Sequence, residues 1–260
     1  MIRDDLPFQV DSGVARVQFT GDDRPERYDL LLVTTCRHAF GNPEVHRIEV
    51  DVASDDRPRR QALHRAGFRM EAFRRQRLRG PDGGLRDEAG YSLLRGEVGG
   101  TAGFTGVMNS VTPRKRAIAH VLLTDDDGAI CLLETSFKTD WELPGGILNV
   151  TETPRQGAAR EVKEELSYDV SVGRLLVVEW LAPYLGWEDA LELIFDGGVL
   201  NPRSKLLLRP DLREIRSVHW LSPANAADRM APHARGRLSA ALAAREEGRT
   251  LYLEAGQRIS

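Results

Sequence analysis

The stretch Gly146-Ile-Leu-Asn-Val-Thr-Glu152, followed after seven residues by Arg160-Glu161-Val162-Lys163-Glu164-Glu165, decides how the second half of this chain folds. Glu161, Glu164 and Glu165 are spaced i, i+3 and i+4, so on a helix their carboxylates project from one face. Like charges at this spacing repel one another. The pattern therefore predicts a site for a hard divalent cation such as Mg²⁺, which binds carboxylates, water and phosphate oxygens.

The residues around this cluster predict a strand, a loop and a helix in succession. Trp141-Glu-Leu-Pro-Gly-Gly146 is typical of a strand that ends in a Pro-Gly turn, and its glycines allow the backbone to approach a ligand closely. Thr153 can cap the helix, Pro154 suits its first position, and Gln156 completes a capping box. An apolar stripe follows at Ala158, Ala159, Val162 and Leu166.

This segment resembles the Nudix box, in which Gly, five residues, Glu and seven residues precede Arg-Glu-aliphatic-any-Glu-Glu-any-Gly-aliphatic. The matching residues are Gly146, Glu152, Arg160, Glu161, Val162, Glu164 and Glu165. Ser167 stands where the family has glycine, and Tyr168 where it has an aliphatic residue. That glycine caps the helix, and another residue in a left-handed cap costs roughly 1 kcal/mol. The departures therefore concern the end of the helix and not the carboxylates.

The resemblance implies an α/β/α sandwich over about residues 112–256 and hydrolysis of a diphosphate linkage with Mg²⁺, or with Mn²⁺ in its place. It makes Glu161 and Glu165 direct metal ligands, with the carbonyl of Gly146 as a third contact. Glu164 would bind a second ion or hold a bound water. The alternative is an ordinary charged helix face, since glutamate-rich amphipathic helices are common.

Three further acidic or basic side chains complete the expected site. By the same resemblance Arg160 would orient the carboxylates, and Glu152 would brace the loop against the helix. Glu152 has a simpler alternative as an exposed loop carboxylate. Nudix enzymes often recruit a general base from outside the box, and Glu188 is the first choice here because it ends the loop that begins at Tyr184. Asp189 and Glu192 are alternatives, and all three could be surface acids.

Aromatic residues in the same loop suggest where a nucleobase could lie. Tyr184 and Trp187 could stack on a planar group, or could simply pack the loop. His120 lies in an apolar strand and is expected to be a core histidine with its hydrogen bonds satisfied.

Composition narrows the class of protein. Hydrophobic residues make up 41 % and charged residues 29 %, which is typical of a globular protein. The net charge of -3 gives no electrostatic reason to expect nucleic acid or a membrane as partner. No apolar run approaches the roughly 18 residues that span a bilayer. Two cysteines and no signal-peptide core predict a cytoplasmic protein.

The chain is expected to fold as two units. A glycine-rich stretch, residues 99–111, predicts a linker between a module over 1–98 and a Nudix domain over 112–260. In the first module a strand at 47–52, a helix at 57–65, an Ala-Gly-Phe turn and a final hairpin follow in order. This order resembles the C-terminal half of GNAT acetyltransferases over roughly residues 38–95. The overall fold expected is α/β, with the smaller GNAT-like α/β module first.

The GNAT resemblance lacks the family's phosphate-binding loop. That family binds the pyrophosphate of acetyl-CoA on a glycine-rich loop that opens a helix. The corresponding stretch, residues 21–28, has one glycine, two aspartates and a proline that has no N–H to donate. We therefore expect a shortened, non-catalytic module. Its sheet edges leave a homodimer as an open alternative.

The sequence as a whole predicts a Mg²⁺-dependent pyrophosphohydrolase that cleaves the diphosphate linkage of a nucleoside diphosphate derivative, a small-molecule nucleotide substrate. Two alternatives stay open. One is an acetyl-CoA-dependent N-acetyltransferase fused to a Nudix domain. The other is a non-catalytic Nudix-fold module that binds a nucleotide.

Overall fold

The computed structural model of this 260-residue chain describes residues 5–20, 24–98 and 101–259. The chain divides into two compact units, Met1–Pro113 and Arg114–Ser260. No helix among the described residues combines the length and the apolar character needed to cross a bilayer.

The first unit is built on one five-stranded sheet. Its elements are β1 (Phe8–Asp11), β2 (Val14–Val17), α1 (Tyr28–Gly41), β3 (Arg47–Ala53), α2 (Arg57–Arg65), β4 (Arg69–Arg79), β5 (Leu85–Leu94) and α3 (Thr101–Val111). The strand order is β1-β2-β3-β5-β4, in which β2 and β3 are parallel and the other neighbours are antiparallel. Ile48, Val50 and Val52 alternate along β3 and are buried, as their period of two predicts. They pack with Leu32 and Leu63 from the helices in one core.

Residues 101–111, which were expected to belong to a flexible linker, form helix α3 instead. Their glycines allow close packing. A Cβ on Gly103 would overlap the carbonyl oxygen of Glu97, and one on Gly106 would overlap the guanidinium of Arg69. The glycines that suggested a linker thus permit a helix to lie against β4. Residues 99 and 100 of the expected linker lie outside the described residues.

The second unit is an α/β/α sandwich. Its elements are β6 (Arg116–Asp125), β7 (Ile130–Thr135), β8 (Gly145–Ile147), α4 (Pro154–Leu166), β9 (Leu175–Leu181), β10 (Ala190–Leu200), α5 (Pro202–Lys205), β11 (Ile215–Leu221), α6 (Pro223–Arg229), α7 (Pro232–Glu247), β12 (Leu251–Glu254) and β13 (Gln257–Arg258). The sheet has the order β11-β7-β6-β10-β9-β12-β13, and β8 pairs with β6.

Two separate cores lie on the two faces of this sheet. Val121 and Leu123 of β6 pack with α4 on one face, while Leu122 between them packs with α6 and α7 on the other. This alternation follows from the period of two along a strand. The central strand β6 is therefore buried on both faces. This explains why most of its residues are apolar, with no alternation between apolar and polar positions.

Candidate active site

Helix α4 carries the carboxylate cluster, and its ends are built as the sequence predicts. The Thr153 hydroxyl accepts a hydrogen bond from the Gln156 amide, and Gln156 Oε1 accepts one from the Thr153 amide at 3.1 Å. This capping box satisfies backbone donors that the first turn leaves unpaired. The helix ends at Ser167, whose φ of 52° and ψ of 32° are left-handed. A serine thus adopts the conformation that glycine adopts in the Nudix box.

The Pro-Gly-Gly turn brings the backbone of β8 against this helix. Gly145 has a φ of +139°, and a Cβ there would lie 2.5 Å from the Cα of His120. A Cβ on Gly146 would lie 2.8 Å from the carboxyl carbon of Glu161. Only glycine leaves room for both approaches. The turn therefore places a strand backbone in contact with the first glutamate of the cluster.

Arg160 joins the loop before the helix to the carboxylates. Its Nε and Nη2 donate to the two oxygens of Glu152 at 2.8 and 3.0 Å, which is the bidentate arrangement a guanidinium favours. Nη1 lies 2.9 Å from Glu161 Oε1 and 2.8 Å from Glu164 Oε2. Glu152 also accepts from the amide of Asn149 at 3.0 Å. These bonds, first of all those from Arg160, lower the pKa of Glu152.

Glu165 is the buried member of the cluster. Its side chain is 7 % exposed, and Oε2 accepts a hydrogen bond from the Gly145 amide at 2.8 Å. Burial, together with the like charges of Glu142, Glu161 and Glu214, raises its pKa to about 9, although the hydrogen bond from Gly145 acts in the opposite direction. A bound cation would favour the charged form of this carboxyl group.

The carboxylates of this cluster suit a divalent cation that keeps some of its water ligands. Burial also raises the pKa of Glu161, despite the opposing effect of Arg160. Glu164 differs, because its side chain is 59 % exposed and paired with Arg160. No three acidic, histidine or cysteine side chains of the described residues converge on one point. Mg²⁺ fits such a site, since it is usually held by one or two carboxylates together with water and substrate oxygens.

Glu188 lies in the connection between β9 and β10 and not on the helix that carries these carboxylates. It is exposed, at the base of a tight hairpin in which Tyr184 and Trp187 pair through their backbones. The charge of Glu214 is among the causes that raise the pKa of Glu165. Sequence reasoning missed Glu214, because it is separated from the box by almost fifty residues and no pattern marks it.

The aromatic residues of this hairpin are exposed. Tyr184 is 51 % and Trp187 59 % exposed, and the guanidinium of Arg116 lies 4.5 Å from the centroid of the Trp187 ring. Residues 183–189 line a hollow of about 460 Å³. Arg116 begins β6, in register with Ala190. Leu148 begins the loop between β8 and α4, which we call the Nudix loop. Its amide donates to the carbonyl of Ala117, the residue after Arg116 in β6. The hairpin and the loop therefore flank the same end of β6.

The two alternatives to Glu188 are engaged in ion pairs. Asp189 pairs with Lys115 and accepts from Trp180 Nε1 at 3.1 Å. Glu192 is 3 % exposed and lies 2.9 Å from His120 Nδ1, so His120 is the satisfied core histidine that was expected. Glu192 also pairs with Arg237 of α7 at 2.5 Å, a contact that no local sequence pattern indicates.

A family model for the NUDIX domain matches residues 113–242, half of the chain. The chain belongs to the Nudix family. A MutT-like protein from Streptomyces ambofaciens is 34 % identical over 119 residues, which cover 44 % of this chain and 68 % of that protein. The expected Nudix-type hydrolase is thereby confirmed at the level of the family.

The solved structures with a similar fold include a MutT protein from Methanosarcina mazei Go1, at 22 % identity, which covers 53 % of this chain and 99 % of that one with a TM-score of 0.43. An Ap4A hydrolase from C. elegans is 19 % identical, and the match covers 51 % of this chain and 98 % of that one with a TM-score of 0.42.

Proposed function

We propose that the second unit is a Mg²⁺-dependent pyrophosphohydrolase that cleaves the diphosphate linkage of a nucleoside diphosphate derivative. The observation that carries this proposal is the environment of Glu165, a buried carboxylate crowded by like charge beside a glycine turn. The charge of such a carboxylate must be neutralised, by a proton or by a bound cation. This environment is difficult to explain as a solvated helix face.

The residues divide into ligands and supports. Glu161, Glu165 and the Gly146 backbone would hold the ion, with Glu164 at its outer side. When bound, a divalent ion neutralises phosphate charge, lowers the pKa of an attacking water and steadies the leaving oxygen. Arg160 keeps Glu152 and Glu161 in fixed positions through the hydrogen bonds described above.

Two acidic residues are candidates for the general base. Glu188 was the sequence choice, and it stays a candidate because the hairpin and the Nudix loop flank the same end of β6. Glu214 is a second candidate, because its charge acts on Glu165. Glu188→Gln and Glu214→Gln, compared by the pH dependence of kcat, separate the two. The variant of the base should lose the acidic limb of the profile.

The exposed hairpin supports a nucleotide as substrate. An indole and a phenol that are both more than half exposed can stack on a nucleobase, which contributes about 1–3 kcal/mol per base. Trp187→Ala should then raise KM for nucleotides more than it lowers kcat. If KM is unchanged, the base lies elsewhere.

We propose further that the first unit is a shortened GNAT-like module without acetyltransferase activity. The order β3, α2, a turn at 66–68 and the hairpin β4–β5 supports the likeness. Where the chain leaves β2, Arg59 donates to the Thr20 carbonyl at 3.2 Å and lies over the rings of Phe19 and Tyr28. Arg59 thus engages the backbone just before the stretch that corresponds to the family's phosphate-binding loop. Residues 21–23, which begin the stretch that corresponds to that loop, lie outside the described residues.

A substrate panel with Mg²⁺ tests the main proposal. It should contain nucleoside di- and triphosphates, sugar nucleotides and dinucleoside polyphosphates. Glu165→Gln keeps shape but removes a hard anionic ligand, so turnover of any substrate should fall by orders of magnitude. Glu246→Gln, an exposed glutamate of α7, is the matched control and should be unaffected. Tight nucleotide binding without turnover by the wild type would favour the binding module instead.

A further inference from the structure

Four charged or ionisable side chains form a buried ion chain beneath the glycine turn. They are Glu179 of β9, Arg237 of α7, Glu192 of β10 and His120 of β6. Arg237 Nε lies 2.5 Å from Glu179 Oε2, and Arg237 Nη1 lies 2.5 Å from Glu192 Oε1. Glu192 Oε1 is in turn 2.9 Å from His120 Nδ1. Every member is less than 9 % exposed.

Stability alone does not account for this ion chain. Removing two carboxylates and a guanidinium from water carries a desolvation cost that their mutual attraction offsets only in part. Apolar residues of the same volume are often equally stable or more stable in such places. An ion chain with this geometry is therefore better explained by what it holds in position than by the free energy of folding it supplies.

One end of the ion chain touches the glycine turn. His120 is in register with Gly145, and Val121 donates to the Pro144 carbonyl at 2.8 Å. The imidazole packs against the turn as well, since a Cβ on Gly145 would lie 2.9 Å from His120 Cδ2. Gly145 donates to Glu165, and Gly146 lies against Glu161. The imidazole thus contacts a turn whose two glycines contact the carboxylates of Glu165 and Glu161.

A second ion pair on the same helix provides a comparison. Arg245 of α7 lies 2.6 Å from Asp196, also on β10. It donates to the Leu122 carbonyl at 2.7 Å. This pair joins the same helix to the same strand as Arg237 and Glu192 do, but it is two helical turns further on and does not contact the turn.

We propose that Glu192 is a positioning residue for the carboxylate site. It holds the imidazole of His120, which presses on Gly145 and thereby sets the separation of Glu161 and Glu165. The inference deepens the function proposed above and rests on it for its consequences in catalysis, although its structural part can be measured without substrate.

The decisive variants are Glu192→Gln and Asp196→Asn, each of which neutralises one carboxylate partner of an arginine on α7. Both should lower the free energy of unfolding. In the metal-free full-length chain, hydrogen exchange of the Gly145 amide should be at least about tenfold faster in Glu192→Gln than in Asp196→Asn, after correction for global stability. Equal exchange in the two variants overturns the proposal. If Glu192→Gln does not fold, Glu192→Asp, which shortens the reach to His120, is measured in its place and is expected to show the same difference.

Metal affinity provides a second readout. Outer residues that orient ligands typically change metal affinity by 10–100-fold. Glu192→Gln should weaken Mn²⁺ binding, measured by electron paramagnetic resonance, by about tenfold or more. Asp196→Asn should stay within about twofold of the wild type, because its ion pair does not reach the turn. Mn²⁺ affinities within twofold for all three proteins overturn the positioning role.

The two proposals fail in different ways. A wild type that binds Mn²⁺ but hydrolyses nothing in the panel refutes the substrate class. The comparison of Gly145 exchange and Mn²⁺ affinity between the two variants then still supports or overturns the role of Glu192. Where hydrolysis is found, Glu192→Gln should lower kcat more than it raises KM, since it disturbs the ion site and not the nucleotide-binding surface.

Discussion

Ser167→Gly tests whether helix α4 ends under backbone strain. Ser167 is exposed and left-handed, with a φ of 52°. That conformation costs an L-residue roughly 1–2 kcal/mol. Glycine adopts it freely but loses about 0.5–1 kcal/mol more conformational entropy on folding. The balance predicts that the substitution stabilises the second unit by about 0.5–1 kcal/mol. For a unit of this size the midpoint of thermal unfolding should rise by about 1–4 °C.

The assay can report on the second unit alone. The chain has four tryptophans, and all lie in this unit: Trp141, Trp180, Trp187 and Trp220. Urea unfolding of the full-length chain followed by tryptophan fluorescence therefore measures the relevant free energy. Ser239→Gly is the matched control, because Ser239 is an exposed residue in the interior of α7 and glycine there should destabilise by about 0.5–1 kcal/mol. If both substitutions destabilise the unit equally, the backbone at Ser167 is not strained.

Four other expectations follow from the same structure. Arg160→Lys abolishes the bidentate bond to Glu152 and should lower kcat about tenfold or more, measured with the best substrate of the panel. Gly103→Ala should reduce the protection of α3 from hydrogen exchange because its Cβ meets backbone, whereas Gly96→Ala, which meets nothing within 4 Å, should not. Full-length protein should show no acetyl-CoA binding by calorimetry at sub-millimolar concentration, and tight binding would contradict the non-catalytic assignment of the first unit. The folded-state pKa of Glu192 is about 2, below its ordinary 4.5, because the charges of its neighbours outweigh burial. Its ionisation therefore stabilises the fold above pH 4.5, and this contribution is lost as the pH falls towards 2. In Glu192→Gln, urea titrations between these pH values should show a correspondingly smaller loss of stability.

Local patterns predicted the site where a few adjacent residues determine the geometry. Thr153, Pro154 and Gln156 specify the start of α4, and the spacing of the glutamates specifies which of them share a face. The bidentate bond between Arg160 and Glu152 was less certain, because the loop could have left Glu152 exposed. Gly157, which sequence reasoning passed over, helps to explain the contact: a Cβ there would lie 2.9 Å from a Glu152 oxygen.

Long-range partners could not be predicted in the same way. From the sequence, Glu192 could have been a surface acid. In the structure it is buried and paired with Arg237, which lies on α7, 45 residues further along the chain. In a single sequence nothing distinguishes Arg237 from the other arginines of α7. Gly103 and Gly106 were misinterpreted for a related reason. Glycine occurs both in linkers and where segments pack closely, and a single sequence does not show the contacts that distinguish the two.

The left-handed serine at the end of α4 is tolerated because another segment closes that end of the helix. The Arg209 amide donates to the Leu166 carbonyl at 2.7 Å, and the Asp211 amide donates to the Glu165 carbonyl at 2.9 Å. These bonds satisfy carbonyls that a helix terminus otherwise leaves to water. The same segment continues to Glu214, whose charge raises the pKa of Glu165. Residues 209–214 therefore both close the end of the helix and carry a charge that acts on the buried carboxylate. Relief of strain at Ser167 should stabilise the unit without displacing Glu165, because the backbone bond from Asp211 holds that residue independently of the cap.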